Sequence, residues 1–208
     1  MLIQNSGEDE DICQQFSAGT LAWKNVQFVA NSLKAADKHI KELDIMPLDP
    51  RIATAGPEIR HLFTGLTDLS VDFEDISIFR EGASKGDSPL PVLMKCTQAT
   101  LKRIHFVFQV EDFEFHPEPF EHTFENLFLV SSGKNKKKEK LEPLTLPHLT
   151  NLTLERVIVS GPSLARFLSA QPALESANFK SIHILTPGYT WVDMAANMPP
   201  SLRDWLVF

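Results

Sequence analysis

The amino-acid sequence predicts an α/β fold in which strand and helix units stack side by side into an irregular solenoid. A six-residue pattern, apolar-x-x-apolar-x-apolar, occurs six times in the 208 residues. Segments with helical spacing of apolar residues lie between these copies, so strands and helices alternate along the chain. Strands that are joined by helices run parallel, and stacking of short units gives a curved parallel sheet with the helices on its convex side.

The six copies of the apolar pattern define the predicted strands. Their first residues, at positions 40, 66, 101, 149, 174 and 202, lie 26, 35, 48, 25 and 28 residues apart. Three of these spacings match the length of a leucine-rich repeat, about 20 to 29 residues. The sequence therefore predicts an irregular leucine-rich-repeat solenoid of about six repeats. The apolar residues of the copies are Ile40, Leu43, Ile45; Leu66, Leu69, Val71; Leu101, Ile104, Phe106; Leu149, Leu152, Leu154; Leu174, Ala177, Phe179; and Leu202, Trp205, Val207.

The two long spacings each contain a polar segment. Residues near 82–89 are rich in Gly and Ser, and residues near 131–140 contain a run of lysines. Small, polar and glycine-rich stretches are typical of surface loops, so both are predicted to be solvated loop insertions. We expect one leucine-rich-repeat domain over residues 18–208. The acidic residues 1–17 that precede it are expected to be disordered.

Helices are indicated by apolar residues at spacings of three, four and seven. The segments with this spacing are 18–33, 120–128, 164–168 and 191–195. In the first of them, the residues expected to face the core are Val26, Val29, Ala30 and Leu33. Prolines precede or open several predicted helices, where a missing backbone donor has no cost. These prolines are Pro57, Pro162 and Pro187.

Alternate residues of each predicted strand point away from the helices, onto the concave face. Four carboxylates lie on the first two strands, and basic residues appear on later ones. Opposite charges improve the encounter rate and register of a complex, so a basic peptide or a basic protein patch is the expected partner at the acidic end. The alternative is that these residues only solvate the open side of the sheet. The candidate partner-binding residues are Glu42, Asp44, Asp68, Ser70, Asp72, Arg103, His105, Asn151, Thr153, Glu155, Asn178 and Lys180.

Charge and composition exclude several classes of partner. The formal net charge is −7, whereas nucleic acids and anionic membranes attract basic surfaces. No run of about 18 apolar residues is present, so no membrane-spanning segment is expected. The start of the chain lacks the features of a signal peptide, and the two cysteines lie far apart. We therefore expect an intracellular location, cytoplasmic or nuclear.

Catalytic motifs are missing from the sequence. It contains no P-loop, Gly-x-Gly-x-x-Gly or His-Glu-x-x-His motif, and residues 82–86, GASKG, have the Gly-x-Ser-x-Gly spacing only within the segment predicted to be a loop insertion. His116 and His122 stand among carboxylates, but they lack the compact spacing of zinc ligands. Cys96 lies in an apolar stretch and is expected to be a buried structural thiol. We predict no enzyme and no catalytic, cofactor-binding or metal-binding residues; the alternative is a metal-dependent enzyme that uses this histidine-containing and acidic central segment.

One family resemblance supports the repeat interpretation. Residues 146–176, LPHLTNLTLERVIVSGPSLARFLSAQPALES, closely resemble the repeat of fungal F-box and leucine-rich-repeat proteins. Residues 198–208, MPPSLRDWLVF, resemble the last strand of that family, and residues 22–45 resemble an early helix and strand of it. The resemblance implies a scaffold that recognises substrate proteins for a cullin-type ubiquitin ligase.

The F-box of this family would precede the repeats and bind the adaptor of the ligase. Residues 1–17 are too short and too acidic for that module. The cullin-ligase adaptor is therefore expected as a partner only if a fuller gene product contains an F-box. We interpret the chain as a non-enzymatic protein–protein interaction scaffold. A truncated gene fragment without an independent role is the remaining alternative.

Overall fold

Helices lie between several of the strands that the apolar pattern predicts. The structure is a computed structural model that describes residues 18–45, 56–73, 89–108, 128–131, 141–196 and 198. The helices are α1 (Ala18–Ala35), α2 (Pro57–Phe63), α3 (Pro89–Thr97), α4 (Gly161–Ser169) and α5 (Trp191–Ala196). The strands are β1 (Glu42–Ile45), β2 (Asp68–Phe73), β3 (Arg103–Phe108), β4 (Leu129–Ser131), β5 (Leu141–Pro143), β6 (Asn151–Glu155), β7 (Ile158–Val159), β8 (Ser176–Lys180) and β9 (His183–Ile184).

Five parallel strands form the main sheet, in the order β1-β2-β3-β6-β8. Equivalent residues of the apolar pattern lie opposite one another: Leu43 pairs with Leu69, Leu69 with Ile104, and Ile104 with Leu152. The predicted α/β fold with a parallel sheet is therefore confirmed. Five copies of the pattern supply these strands, and the sixth, at residues 202–207, lies outside the described residues.

One hydrogen-bond arrangement recurs where the strands begin. The carbonyl oxygen of Lys41 accepts bonds from the backbone N–H groups of Thr67, at 2.8 Å, and Asp68, at 3.0 Å. The carbonyl oxygens of Thr67, Lys102 and Thr150 each accept two N–H groups from the start of the next strand in the same way. These bonds align the starts of all five strands and fix their common register.

Alternation along the strands gives the main sheet an apolar and a polar side. In β2 and β3 every second residue is buried, which is the period of a strand with one side in the core. The buried side carries a chain of aromatic contacts. The ring centroid of Phe106 lies 5.3 Å from Phe73 and 5.7 Å from Phe128, and Phe128 lies 4.4 Å from Phe167 of α4. These rings connect the middle strands to the helix layer.

The helices pack on the apolar side of the sheet. α1 contacts α2, α2 contacts α3, and α4 contacts α5. Ile59 and Leu62 of α2, and Leu164 and Phe167 of α4, belong to the same core cluster as the apolar strand residues. None of the helices in the described part of the chain has both the length and the apolar composition of a membrane-spanning helix.

Two of the three prolines occupy helix starts. Pro57 and Pro162 stand in the first positions of α2 and α4, where an N–H group would have no partner inside the helix. Pro187 precedes α5, but Thr190 begins this helix through reciprocal hydrogen bonds with Asp193. The helix predicted over residues 120–128 lies outside the described residues except at its last position.

The predicted core face of α1 is wrong at Val29. Ala30 is fully buried, and Val26 and Leu33 pack partly against the core, but Val29 is 46% exposed. At 3.6 residues per turn, Val26, Ala30 and Leu33 form a narrow stripe and Val29 lies at its edge. The packing of α1 covers the stripe and leaves its edge exposed.

Two small sheets were not predicted. β4 and β5 pair antiparallel on either side of the predicted insertion near 131–140, whose residues 132–140 are not among those described. β7 pairs with β9, each shortly after a strand of the main sheet. Arg156 and Ser181 stand between these strands and the main sheet, with φ values of 56° and 54°. Pro89, at the end of the predicted insertion near 82–89, begins α3.

Candidate functional site

Side chains that point away from the helices form the polar face of the main sheet. They stand in three rows because the five strands pair in register; two rows have a residue on every strand, and the third has one on each of β2, β3, β6 and β8. All twelve candidate residues lie on this face, and their role in binding stays a prediction. The rows are Glu42, Asp68, Arg103, Asn151, Ser176; Asp44, Ser70, His105, Thr153, Asn178; and Asp72, Val107, Glu155, Lys180.

A shallow groove with a volume of about 540 Å³ crosses the polar face. It extends from Glu42 and Asp44 on β1 to Asn178 and Lys180 on β8, and Asp72 is the one candidate residue that does not line it. In the described part of the chain, the helices pack on the opposite side of the sheet. The groove therefore has the position expected of a surface that receives a partner.

Charge is distributed unevenly along this groove. β1 and β2 contribute four carboxylates to the polar face and no basic residue. β3, β6 and β8 together contribute Arg103, Lys180 and Glu155, with His105 between them. One end of the polar face is thus strongly acidic, and the other end is mixed.

Asp68 and Arg103 form an ion pair between β2 and β3. The two residues are direct partners in the strand register, and Arg103 Nε donates to Asp68 Oδ1. The hydroxyl of Thr67 donates to the other carboxylate oxygen, Asp68 Oδ2, at 2.7 Å. The Arg103 side chain is 62% exposed, whereas that of Asp68 is 19% exposed. Asp68 is therefore the anchored member of the pair and Arg103 the accessible one.

Glu155 joins the last three strands of the sheet. Its Oε1 atom accepts a hydrogen bond from Lys180 Nζ at 2.6 Å and lies 3.1 Å from His105 Nε2. The hydrogen bond from Lys180, together with that from His105, holds the pKa of the Glu155 carboxyl below its ordinary value, and partial burial acts against them. Glu155 is therefore a carboxylate at neutral pH.

The arrangement suits recognition. The His105, Glu155 and Lys180 side chains lie on a half-open sheet surface, and all three are partly exposed. Among the described residues there is no group of three or more His, Cys, Asp or Glu side chains placed to hold a metal ion. Charged and hydrogen-bonding groups spread over five strands can instead contact several side chains of a partner.

The other residues singled out from the sequence lie apart from this face or outside the described residues. Cys96 was predicted to be buried. In the structure it is partly buried and packs against the core. Burial raises the pKa of its thiol, which opposes formation of the nucleophilic thiolate. His116, His122 and the lysine run of residues 134–140 lie outside the described residues.

Sequence reasoning missed the threonines that support the polar face. Thr67 and Thr150 directly precede β2 and β6, and their hydroxyl oxygens lie 3.0 Å from the carbonyl oxygen of Lys41 and 3.1 Å from that of Lys102, respectively. Both threonines follow the first leucine of their apolar pattern. Comparison of the copies position by position would have identified them.

Comparison with known proteins leaves the polar face to be interpreted from its geometry. No protein-family model, no curated protein and no solved structure matches the chain. The strand register, the ion pairs and the groove described above are therefore the basis for a functional proposal.

Proposed function

We propose that the chain is a non-enzymatic interaction module that binds a protein partner on its polar face. The supporting observation is the groove of about 540 Å³, which is lined by eleven of the twelve candidate residues, from five strands. The apolar side of the same sheet is occupied by the helices and the core. The polar face is the side that remains for a partner.

The fold that we propose for this module is an irregular leucine-rich-repeat solenoid. Each main strand neighbours the next main strand in the sequence, and the carbonyl arrangement at the strand starts recurs four times. Arg156 and Ser181 repeat a positive φ at positions 25 residues apart, which equals the spacing between the two corresponding copies of the apolar pattern. In such arrays the sheet curves and its open face is the binding surface.

The family resemblance extends this proposal to a cellular role. The partner would be a substrate of a cullin-type ubiquitin ligase, and the module would recruit it inside the cell. The adaptor of the ligase would bind an F-box in a fuller gene product. This part of the proposal rests on the resemblance of residues 146–176.

Site-specific photo-crosslinking tests whether the polar face binds a protein. A photoreactive amino acid is placed at Asn178, which is exposed on the polar face, and in a control chain at Asn31, which is exposed on α1. The proteins cross-linked in a cell lysate are identified by mass spectrometry. We expect a protein that is captured from Asn178 and not from Asn31.

The captured protein is then purified, and its Kd for the chain is measured by calorimetry. Ser70→Arg with Thr153→Arg places two bulky side chains in the groove and is expected to weaken binding by about tenfold or more. Asn31→Arg is the matched control. Equal affinities of the two variants would reject the polar face as the binding surface.

The ligase role has a separate test. Deletion of the chain from cells is expected to lengthen the half-life of the captured protein, because its ubiquitination would be lost. An unchanged half-life would reject substrate recruitment and leave the binding function intact.

A further inference from the structure

We propose that the polar face recognises an extended basic segment of its partner, with the cations of that segment lying over β1 and β2. This inference rests on the proposed function of the face. The central observation is that Asp68 and Glu155 each pair with a cation on the next main strand, whereas Glu42 and Asp44 of β1 face no cation on β2.

The two carboxylate–cation pairs of the face follow one rule. Asp68 pairs with Arg103, its register partner on the next strand, and Glu155 pairs with Lys180, also its register partner on the next strand. In both pairs the carboxylate is the less exposed member. The face therefore already uses anchored carboxylates to hold lysine and arginine side chains.

β1 departs from this rule. The register partners of Glu42 and Asp44 on β2 are Asp68 and Ser70, neither of which is a cation. Glu42 and Asp44 are exposed, and no ion pair involves them within the described residues. Like charges directly opposite in a sheet oppose folding, so the Glu42–Asp68 neighbours favour a cation placed between them. A partner that supplies lysine or arginine would provide it.

The dimensions of the groove set the form of the partner segment. Five strands span four gaps of about 4.8 Å, or about 19 Å in total, which an extended chain covers with about six residues. Because Arg103 and Lys180 lie on the later strands, cations are favoured at the end of the segment over β1 and β2 and disfavoured at the end over β3 to β8. The expected segment therefore has its basic residues gathered at one end.

The test uses fluorescently labelled synthetic peptides and the full chain. One peptide has lysines at one end and uncharged residues at the other, and a second has the same composition with the lysines distributed evenly. A third carries glutamate in place of lysine. We expect fluorescence anisotropy to show that the first peptide binds most tightly. Added salt should weaken its binding, because salt screens the charges.

Three variants locate the contact. The double variant Glu42→Gln, Asp44→Asn removes two carboxylates from β1. Its affinity for the first peptide is expected to be lower on the order of tenfold. Arg103→Gln removes a repelling cation, leaves Asp68 available and is expected to strengthen binding about two- to fivefold. Glu175→Gln, an exposed acid-to-amide change outside the three rows, is the control and should bind like the parent chain. Thermal unfolding of each variant verifies that it is folded.

The possible outcomes separate this inference from the proposed function. Unchanged binding by the Glu42→Gln, Asp44→Asn variant, or weaker binding by Arg103→Gln, would overturn the basic-segment assignment. If a protein still cross-links through Asn178 in that case, the interaction function stands and only its charge chemistry is wrong. If nothing cross-links through Asn178, the proposed function itself fails.

Discussion

At the scale of single residues, Gln171 shows how one buried polar side chain joins separate segments. It is 3% exposed and lies just after α4. Its Nε2 donates to the carbonyl oxygens of Leu144 and Phe167, each at 2.9 Å, and its Oε1 accepts from Leu146 N–H at 2.8 Å. Two of these bonds satisfy backbone groups of Leu144 and Leu146, in the segment between β5 and β6, and the third joins this segment to α4.

Gln171→Leu is expected to destabilise the chain by about 2 to 4 kcal/mol, because it leaves buried backbone groups without partners. Gln98→Leu is the matched control. Gln98 Nε2 donates to the carbonyl of Thr145 at 2.8 Å, but this hydrogen bond is exposed and water can replace it. The loss of stability caused by Gln98→Leu should stay below about 1 kcal/mol. Urea denaturation measures both, and equal losses would contradict the burial argument.

At the scale of elements, α5 shows how a short helix is held at its start. Thr190 N–H and the Thr190 hydroxyl both donate to Asp193 Oδ2 at 2.7 Å, and Asp193 N–H donates back to Thr190 Oγ1 at 3.3 Å. This is a capping box, which satisfies backbone donors of the first turn. The hydrogen bonds from Thr190 hold the pKa of Asp193 below its ordinary value.

Thr190→Ala is expected to cost about 1 kcal/mol of stability, as for other N-cap substitutions. Loss of the hydroxyl donor should also raise the pKa of Asp193, which an NMR pH titration of its carboxyl measures. Thr190→Ser keeps the hydroxyl and should leave both quantities near the parent values. An unchanged Asp193 pKa in Thr190→Ala would show that the hydroxyl bond does not stabilise the carboxylate.

The elements also show what the sequence can and cannot predict. The main strands and their register were predictable because one apolar pattern recurs, and each of the five copies that supply these strands has Leu, Ile or Ala at its fourth position. β7 and β9 have two residues each, too few to show a period. The exposure of Val29 depends on how much of α1 the neighbouring elements cover. The local spacing of apolar residues carries no information about that coverage.

The candidate site was predictable to a similar degree. Alternation along each strand placed all twelve residues on one face, because side-chain direction depends only on the strand period. The pairing of Asp68 with Arg103 and of Glu155 with Lys180 depends on which strands are neighbours, 35 and 25 residues apart. This information is a property of the assembled sheet.

At the scale of the whole molecule, the polar face makes stability depend on pH through Glu155. The pKa of Glu155 is lower in the folded chain than its ordinary value of 4.5, so its pairing is fully stabilising above that value. The stabilisation is lost as the pH falls through the lowered folded pKa. Lys180 is 57% exposed, so solvent screening keeps the contribution small.

Glu155→Gln is therefore expected to be less stable than the parent chain by up to about 1 kcal/mol at neutral pH. The difference should shrink below pH 4.5 and disappear in more acidic solution. Urea denaturation at a series of pH values measures it, with Glu175→Gln as the control for loss of one negative charge. A difference that persists in acid would assign the effect to packing instead of the ion pair.

The order of the main sheet predicts how stability is distributed through the whole molecule. Each main strand makes its sheet contacts with its immediate neighbours, so an end strand loses one set of contacts that an inner strand keeps. Native-state hydrogen exchange should therefore protect the amides of β2, β3 and β6 more than those of β1. If the sixth copy of the apolar pattern, predicted from the sequence at residues 202–207, forms a strand beside β8, then β8 should exchange as slowly as β6. Exchange of β8 as fast as that of β1 would limit the array to five strands. Equal protection of all strands would show that the sheet unfolds as one unit, without the local stability of a repeat array.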